Sequence, residues 1–230
     1  MKAKILVIEG TDCSGKETQT KLLKERLEKE GKRVSTISYP IYPSSTGRIV
    51  GACLLGKPQM CEDYLKQDHG FFEEGGGEVD PLTALCYYAA DRRYSLPLIK
   101  KYLEESDYLI LDRYTTSNMG HRAGMIQDKE KRLEMYKKIE LLEYEILELP
   151  RPDKVIFLHL PYELGDEIRK KRAEKLDESE SNEHHLRLSE QAYLEMASLY
   201  DFSTVECAKN GKIKSIEEIH EELYNIIVQN

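Results

Sequence analysis

The apolar positions of this chain fall into two rhythms. Ile5-Leu6-Val7-Ile8, Tyr108-Leu109-Ile110-Leu111 and Val155-Ile156-Phe157-Leu158 are short unbroken runs bounded by turn or charged residues. Consecutive apolar residues over so short a span read as strands covered on both faces. Arg33–Tyr39, closed by Pro40 and Pro43, is a further strand, and Thr204–Cys207 a weaker one. Between the strands the spacing turns helical. Glu17–Glu30 is rich in Lys, Glu and Leu and is stopped by Gly31. Lys129–Leu149 carries Leu133, Tyr136, Ile139, Leu142 and Ile146 along one stripe, which predicts a single long helix. Helices are also predicted near Gly47–Leu55, from Pro81 to about Tyr94, and over Gln191–Tyr200, with Pro97 kinking or interrupting the chain. Ser215-Ile216-Glu217-Glu218 has the form of a capping box opening a last helix.

Strands alternating with helices predict an α/β fold: one doubly wound parallel sheet with helices on both faces, in a single domain over residues 1–230. Residues 53–80, with the triplet Gly75-Gly76-Gly77, read as an irregular insertion. Residues 163–185 are densely charged.

Composition narrows the function. The net charge is −8 and the pI about 5.4, which argues against a broad basic face and so against a nucleic-acid polymer as partner. The 5 cysteines form no C-x-x-C pair and read as reduced packing thiols. The sequence shows no secretory leader and no apolar stretch of membrane-spanning length, so a cytoplasmic protein without a membrane partner is expected.

The chemistry opens at Gly10-Thr11-Asp12-Cys13-Ser14-Gly15-Lys16-Glu17-Thr18. This is a phosphate-binding loop between a strand and a helix, except that Glu17 stands where a hydroxyl residue is usual. Gly10 and Gly15 let the backbone wrap a phosphate, successive amides through Cys13 and Ser14 supply positive potential, and Lys16 adds a charge for the β and γ phosphates. Glu17 can serve Mg²⁺ directly or through water, or Thr18 can bond a phosphate while Glu17 turns to the metal. A loop that binds nucleotide weakly and turns nothing over is the third reading.

Asp112-Arg113-Tyr114 follows a buried strand, where ligands of open parallel sheets lie; Asp112 can hold hydrated Mg²⁺ and Arg113 can pair with a phosphate. Tyr88 and Arg92 share a helix face and can stack on and bond a nucleobase. Arg169 and Arg172 also share a face, and an arginine at a transferring phosphoryl group accelerates the reaction strongly. His184 and His185 are adjacent, point different ways on a helix and read as surface.

With these residues in hand, the chain resembles the thymidylate kinase family. The resemblance rests on EGTDCSGKETQTKLL, YP at 39–40, YYAADRRYSLPLIK at 87–100, LILDRYTTSN at 109–118 and the late SIEEIHEEL. These fall in order over almost the whole chain, with residues 53–80 matching least. It implies a P-loop NTPase-type five-stranded sheet with a mobile lid over about 163–185, often a homodimer, and transfer of the ATP γ-phosphate to dTMP with Mg²⁺. Carried over, Lys16 clamps the donor phosphates, Asp112 and Glu17 place the metal, and Ala208 to Lys214 lie near adenine. Asp12 binds the acceptor's sugar hydroxyl, Tyr39 belongs to the acceptor site, Tyr88 stacks on thymine, Arg92 bonds the base and Arg113 takes the acceptor phosphate. The family often has arginine at the place of Tyr42, and an aromatic then glutamine at His121 and Arg122. Cys13 replaces the loop arginine of some members, which implies a catalytic arginine in the lid, Arg172 first and Arg169 second. Those departures keep two other readings in play: a kinase for another nucleoside monophosphate or a deoxynucleoside, and a non-catalytic ATP-binding regulator.

Overall fold

The computed structural model describes residues 3–61, 79–171 and 182–228. β1 (Lys4–Gly10), β2 (Val34–Ser38), β3 (Tyr108–Asp112), β4 (Lys154–His159) and β5 (Ser203–Glu206) form one parallel sheet in the order β2-β3-β1-β4-β5. Around it lie α1 (Lys16–Lys29), α2 (Ser45–Leu54), α3 (Pro81–Tyr94), α4 (Leu96–Glu105), α5 (Thr115–His121), α6 (Lys129–Glu140), α7 (Tyr162–Arg169), α8 (Glu183–Leu199) and α9 (Ile216–Val228).

Strand side chains alternate between two cores. Leu6 and Ile8 pack with Leu23 and Leu27 of α1 and Leu223 and Ile227 of α9. Ile5 and Val7 face the other way, onto Leu96, Ile99 and Leu103 of α4. Phe157 of β4 joins Met119, Tyr136 and Tyr193 from α5, α6 and α8. β1 therefore leads into α1 on one face while its neighbour β3 leads into α5 on the other. A crevice opens where such connections diverge, at the carboxyl ends of the two strands.

Most predicted elements are found within a few residues of their expected bounds. Asp80 caps α3, its Oδ2 accepting from the Thr83 amide at 2.9 Å. Pro97 lies in the first turn of α4, so the interruption falls at Ser95. The capping box is complete: the Ser215 amide donates to Glu218 Oε2 at 2.8 Å and the Glu218 amide to Ser215 Oγ at 3.1 Å.

Three expectations are corrected. The helix predicted over Lys129–Leu149 is α-helical only to Glu140 and continues as a π-helix over Leu141–Ile146. The wider turn shifts the stripe, so Ile146 points outward and Glu143 becomes fully buried. α8 begins at Glu183 rather than Gln191, capped by Asn182. Residues 53–61 of the supposed irregular insertion end α2 and form a 3₁₀ turn at Pro58–Cys61, with Cys53 and Leu54 in a core beside Val79 and Ala84. The segment around Ala208 to Lys214 is a small hairpin of β6 (Ala208–Lys209) and β7 (Lys212–Ile213). The rest of that insertion, residues 62–78, lies outside the described residues.

The π turn carries one half of a buried ion pair. Arg92 Nε and Nη2 donate to Glu143 at 2.5 and 2.6 Å, and the side chains are 2% and 0% exposed. Asn118 Nδ2 adds a donor to the same carboxylate at 2.6 Å. Removing one partner of such a pair strands the other charge. Glu143→Ala should therefore cost about 3–5 kcal/mol of stability, read as a lowered midpoint in chemical denaturation. An exposed control such as Glu145→Ala should leave the midpoint within about 0.5 kcal/mol.

Candidate active site

The glycine loop spans the gap between β1 and α1 and takes its shape from close contacts. A Cβ on Gly10 would stand 2.4 Å from Ser14 Oγ and 2.7 Å from the Leu158 carbonyl oxygen, so no larger residue fits without movement. Gly15 holds φ at 80°, a conformation that glycine adopts at no steric cost. Thr11 Oγ1 donates to the Leu160 carbonyl at 2.7 Å and accepts from the Leu160 amide at 2.9 Å, pinning the loop to the segment after β4.

Two features make the loop a cradle for anions. α1 has no side-chain cap at its N-terminus, so its first amides stay available to a ligand. Ser14 Oγ is buried and, among the described residues, has no hydrogen-bond partner. Lys16 Nζ lies across the loop, donating to the carbonyl oxygens of Gly10 at 3.1 Å and Thr11 at 3.0 Å. Burial and then the nearby Arg113 pull its pKa down to about 8, against the opposing pull of Asp112, Asp12 and Glu9. Glu17 and Thr18 are exposed on the first turn of α1. Cys13 is partly buried with φ of 61°, and its thiol donates to Asp12 Oδ2 at 3.5 Å.

Beside the loop, a cavity of about 380 Å³ opens at the carboxyl edge, and Asp12, Tyr39, Tyr88, Arg92 and Arg113 all line it. Those are the side chains that the sequence assigned to an acceptor. Asp112 closes β3 next to it, 8% exposed, and accepts from Ser38 Oγ at 3.4 Å. Tyr39 Oη shares a 2.7 Å hydrogen bond with Ser95 Oγ, and burial pushes its pKa up to about 12.

The arginines are held in different ways. Arg92 has Nε and Nη2 committed to Glu143; among the described residues only its Nη1 lacks a hydrogen bond. Arg113, with φ of 65°, donates through Nη1 to His121 Nε2 at 2.9 Å. Arg122 lies over the Tyr88 ring at 5.0 Å and donates to Tyr88 Oη at 3.0 Å, while its buried Nε has no partner among the described residues. Arg169, at the end of α7, is buried and donates from Nη1 to Asp12 Oδ2 at 3.2 Å. Burial alone would raise the Asp12 pKa, but Lys16, Arg169 and Arg113 outweigh it and hold the carboxyl below its usual range. Arg172 lies outside the described residues.

Sequence reasoning missed three contributors. His185 is buried, not surface, and its ring stacks on His121 with centroids 5.4 Å apart; only His184 is exposed. Glu143, the partner of Arg92, had been hidden inside a stripe read as a regular helix. Glu9 is fully buried and accepts from the Tyr114 amide, Thr116, Ser117 and Tyr193. A carboxylate closing an apolar strand just ahead of the glycine loop was the available signal for it.

A family model described as thymidylate kinase matches residues 70–223. The chain is 28% identical over 229 residues to a Saccharolobus solfataricus protein named "Probable thymidylate kinase 1", covering 99% of this chain and 98% of that one. It is 26% identical to the human thymidylate kinase over 95% of this chain and 87% of the relative. In fold, a solved thymidylate kinase of Candida albicans matches with a TM-score of 0.70 at 21% identity, over 100% of this chain and 92% of that one. No helix among the described residues is long and apolar enough to cross a membrane.

With Lys16 as a phosphate ligand, nucleotide binding should depend on pH. Below a pKa of about 8 the ammonium is charged, and above it the free protein loses that charge. A bound polyphosphate raises the pKa, so ATP binding should weaken as pH climbs through about 8 and should take up protons there. Calorimetry in buffers of different ionisation enthalpy measures the uptake. Lys16→Met should abolish it, and a flat wild-type profile would refute the assignment.

Proposed function

The chain belongs to the thymidylate kinase family, and from that premise we propose how its loop and cavity carry out the chemistry. It phosphorylates dTMP to dTDP at the expense of ATP. The observation that carries the site assignment is the meeting of an uncapped glycine loop and an arginine-lined cavity at one sheet edge, with Asp12 shared between them.

ATP lies with its phosphates on the amides of Gly10 to Thr18, and Lys16 turns from the loop carbonyls to the β and γ oxygens. dTMP enters the cavity. Tyr88 stacks on thymine, Arg92 offers Nη1 to the base, Tyr39 forms a wall and Asp12 takes the sugar hydroxyl. Arg113 binds the acceptor phosphate and sets one of its oxygens in line with the γ-phosphorus. That oxygen attacks, and ADP leaves. No protein nucleophile is required; positioning and charge stabilisation supply the rate. Arg169 ties α7 to the loop through Asp12, which makes α7 the root of the lid. Arg172, further along, is the candidate for reaching the transferring group.

Mg²⁺ belongs to the same proposal. Asp112 and Glu17 supply the hard oxygen donors that such an ion takes, and Asp112 Oδ1 has no hydrogen bond among the described residues. Bound with ATP, the ion neutralises charge on the β and γ phosphates. A homodimer and a cytoplasmic location complete the proposal; sedimentation reads the first.

ADP release should be measured with ATP, Mg²⁺ and an acceptor panel of dTMP, dUMP, UMP, dCMP, dGMP, AMP and thymidine. A clear preference for dTMP is expected. Preference for thymidine, or ATP binding with no turnover for any acceptor, would overturn the reading. Arg113→Ala should lower kcat/KM for dTMP about 100-fold. Glu17→Ser should keep kcat within roughly threefold of wild type.

A further inference from the structure

Arg113 is half-buried, and its guanidinium forms no ion pair with a described carboxylate: its side-chain hydrogen bond goes to His121 Nε2, at 2.9 Å. A guanidinium has donors only. His121 Nε2 must therefore present its lone pair, and the ring proton sits on Nδ1. That proton has two acceptors within reach on α8, Ser189 Oγ at 3.0 Å and His185 Nε2 at 3.3 Å. Both nitrogens of His121 are thus engaged by protein, and neither is left for a ligand.

The ring is also fixed mechanically. It stacks on His185 with an interplanar angle of 10°, and the Tyr193 ring meets it edge-on with centroids 5.6 Å apart. The preceding residue, Gly120, leaves no room for a side chain: a Cβ there would stand 2.5 Å from the Tyr193 ring. α5 and α8 consequently clasp His121 from both sides. The opposite end of the hydrogen-bonded chain is Arg113, whose side chain lines the acceptor cavity.

We propose that His121 is a positioning residue for the acceptor phosphate: as a neutral, tautomer-locked acceptor it holds the Arg113 guanidinium in the cavity. This rests on the assignment of Arg113 to that phosphate. Arg113 at the end of β3, Lys16 on α1, Arg122 beside it in the chain, and His185, Ser189 and Tyr193 on α8 are the charged and polar groups around the ring. Burial first, and then Arg113, His185, Arg122 and Lys16, press its pKa well below the ordinary histidine value. If the ring is protonated nonetheless, Nε2 turns from acceptor to donor, two cations face each other, and Arg113 is released.

Three proteins separate this role from simple packing: wild type, His121→Ala and His121→Gln. A glutamine can place an amide oxygen near the Nε2 position and does not titrate. Steady-state constants are measured from about pH 5 to about pH 8.5, with dTMP affinity by calorimetry alongside. For His121→Ala the KM for dTMP should rise about tenfold or more while the KM for ATP stays within about threefold. His121→Gln should restore the dTMP constant to within about threefold of wild type. Because the ring stays neutral over this range, wild type and His121→Gln should lose dTMP affinity in parallel at the acid end, both following the titration of the acceptor phosphate. Equal effects of the two substitutions on the dTMP constant would overturn the proposal. If His121→Ala does not fold, His121→Asn, whose amide is too short to reach Arg113, takes its place in the comparison with His121→Gln. Should dTMP bind without being phosphorylated, the catalytic reading fails and the calorimetric comparison still judges His121; no dTMP binding at all overturns both.

Discussion

Glu9 has no exposure to solvent and sits at the residue before the first glycine of the loop. A carboxylate there costs several kcal/mol in lost hydration unless it is compensated. The compensation comes from the Tyr114 amide at 3.1 Å, Thr116 Oγ1 at 2.6 Å, Ser117 Oγ at 3.0 Å and Tyr193 Oη at 2.9 Å. Hydrogen bonds to a charged group contribute about 1.5–3 kcal/mol each, so these donors can offset the burial. They come from the start of α5 and the middle of α8. One side chain thereby locks the end of β1, and with it the glycine loop, to the two helices that carry His121 and His185. The glycine loop and the helices beside the cavity share this anchor.

With that frame fixed, the cavity distributes its charge unevenly. Arg92 is neutralised by Glu143, so it is a rigid, electrically quiet donor. Arg113 is held by a neutral imidazole and forms no ion pair with a described carboxylate, with the charges of Glu9, Asp112 and Asp12 nearby. The acids at the same wall are restrained in kind. Asp12 is matched to Arg169, and Asp91 accepts from the Ile41 amide, Ser44 and Thr46. The proposed roles would match this contrast: hydrogen bonding without net charge toward a base at one end, a guanidinium free of a salt bridge toward a phosphate at the other.

How far the sequence discloses this depends on the range of the interactions. The glycine loop, the strand ends at Gly10 and Asp112, and the capping box at Ser215 are local, written in neighbouring residues, and they stand where expected. Helix spacing put Tyr88 and Arg92 on one face and strand termination placed Arg113 at the sheet edge, while their assignment to one acceptor site came from the family resemblance; all three line one cavity. The π turn was invisible, because the apolar stripe of Lys129–Leu149 continues through it and the partner that Glu143 meets there is an arginine far away in the chain. His185 looked like surface for the same reason: its burial is set by α5 packing against α8, which no local pattern encodes. What was missed is the set of partners that hold the functional groups.

The substitution of Glu17 in the loop can be weighed on the same physical footing. The cradle itself does not use that side chain: Gly15, the uncapped amides of α1 and Lys16 form it. Glu17 is exposed on the first turn of the helix. A carboxylate at a helix N-terminus gains about 0.3–1 kcal/mol from the helix dipole when exposed. Its repulsion from a phosphate oxygen across water is of similar size, about 1 kcal/mol at roughly 4 Å, and salt reduces it further. The dipole term stabilises the helix with or without a ligand, and the repulsion that binding adds is small for an exposed, screened group, so it does not by itself disable the loop. What changes is the charge on the first turn of α1, where an exposed anionic oxygen stands in place of a hydroxyl; the backbone of the glycine loop and Lys16 keep their positions around it.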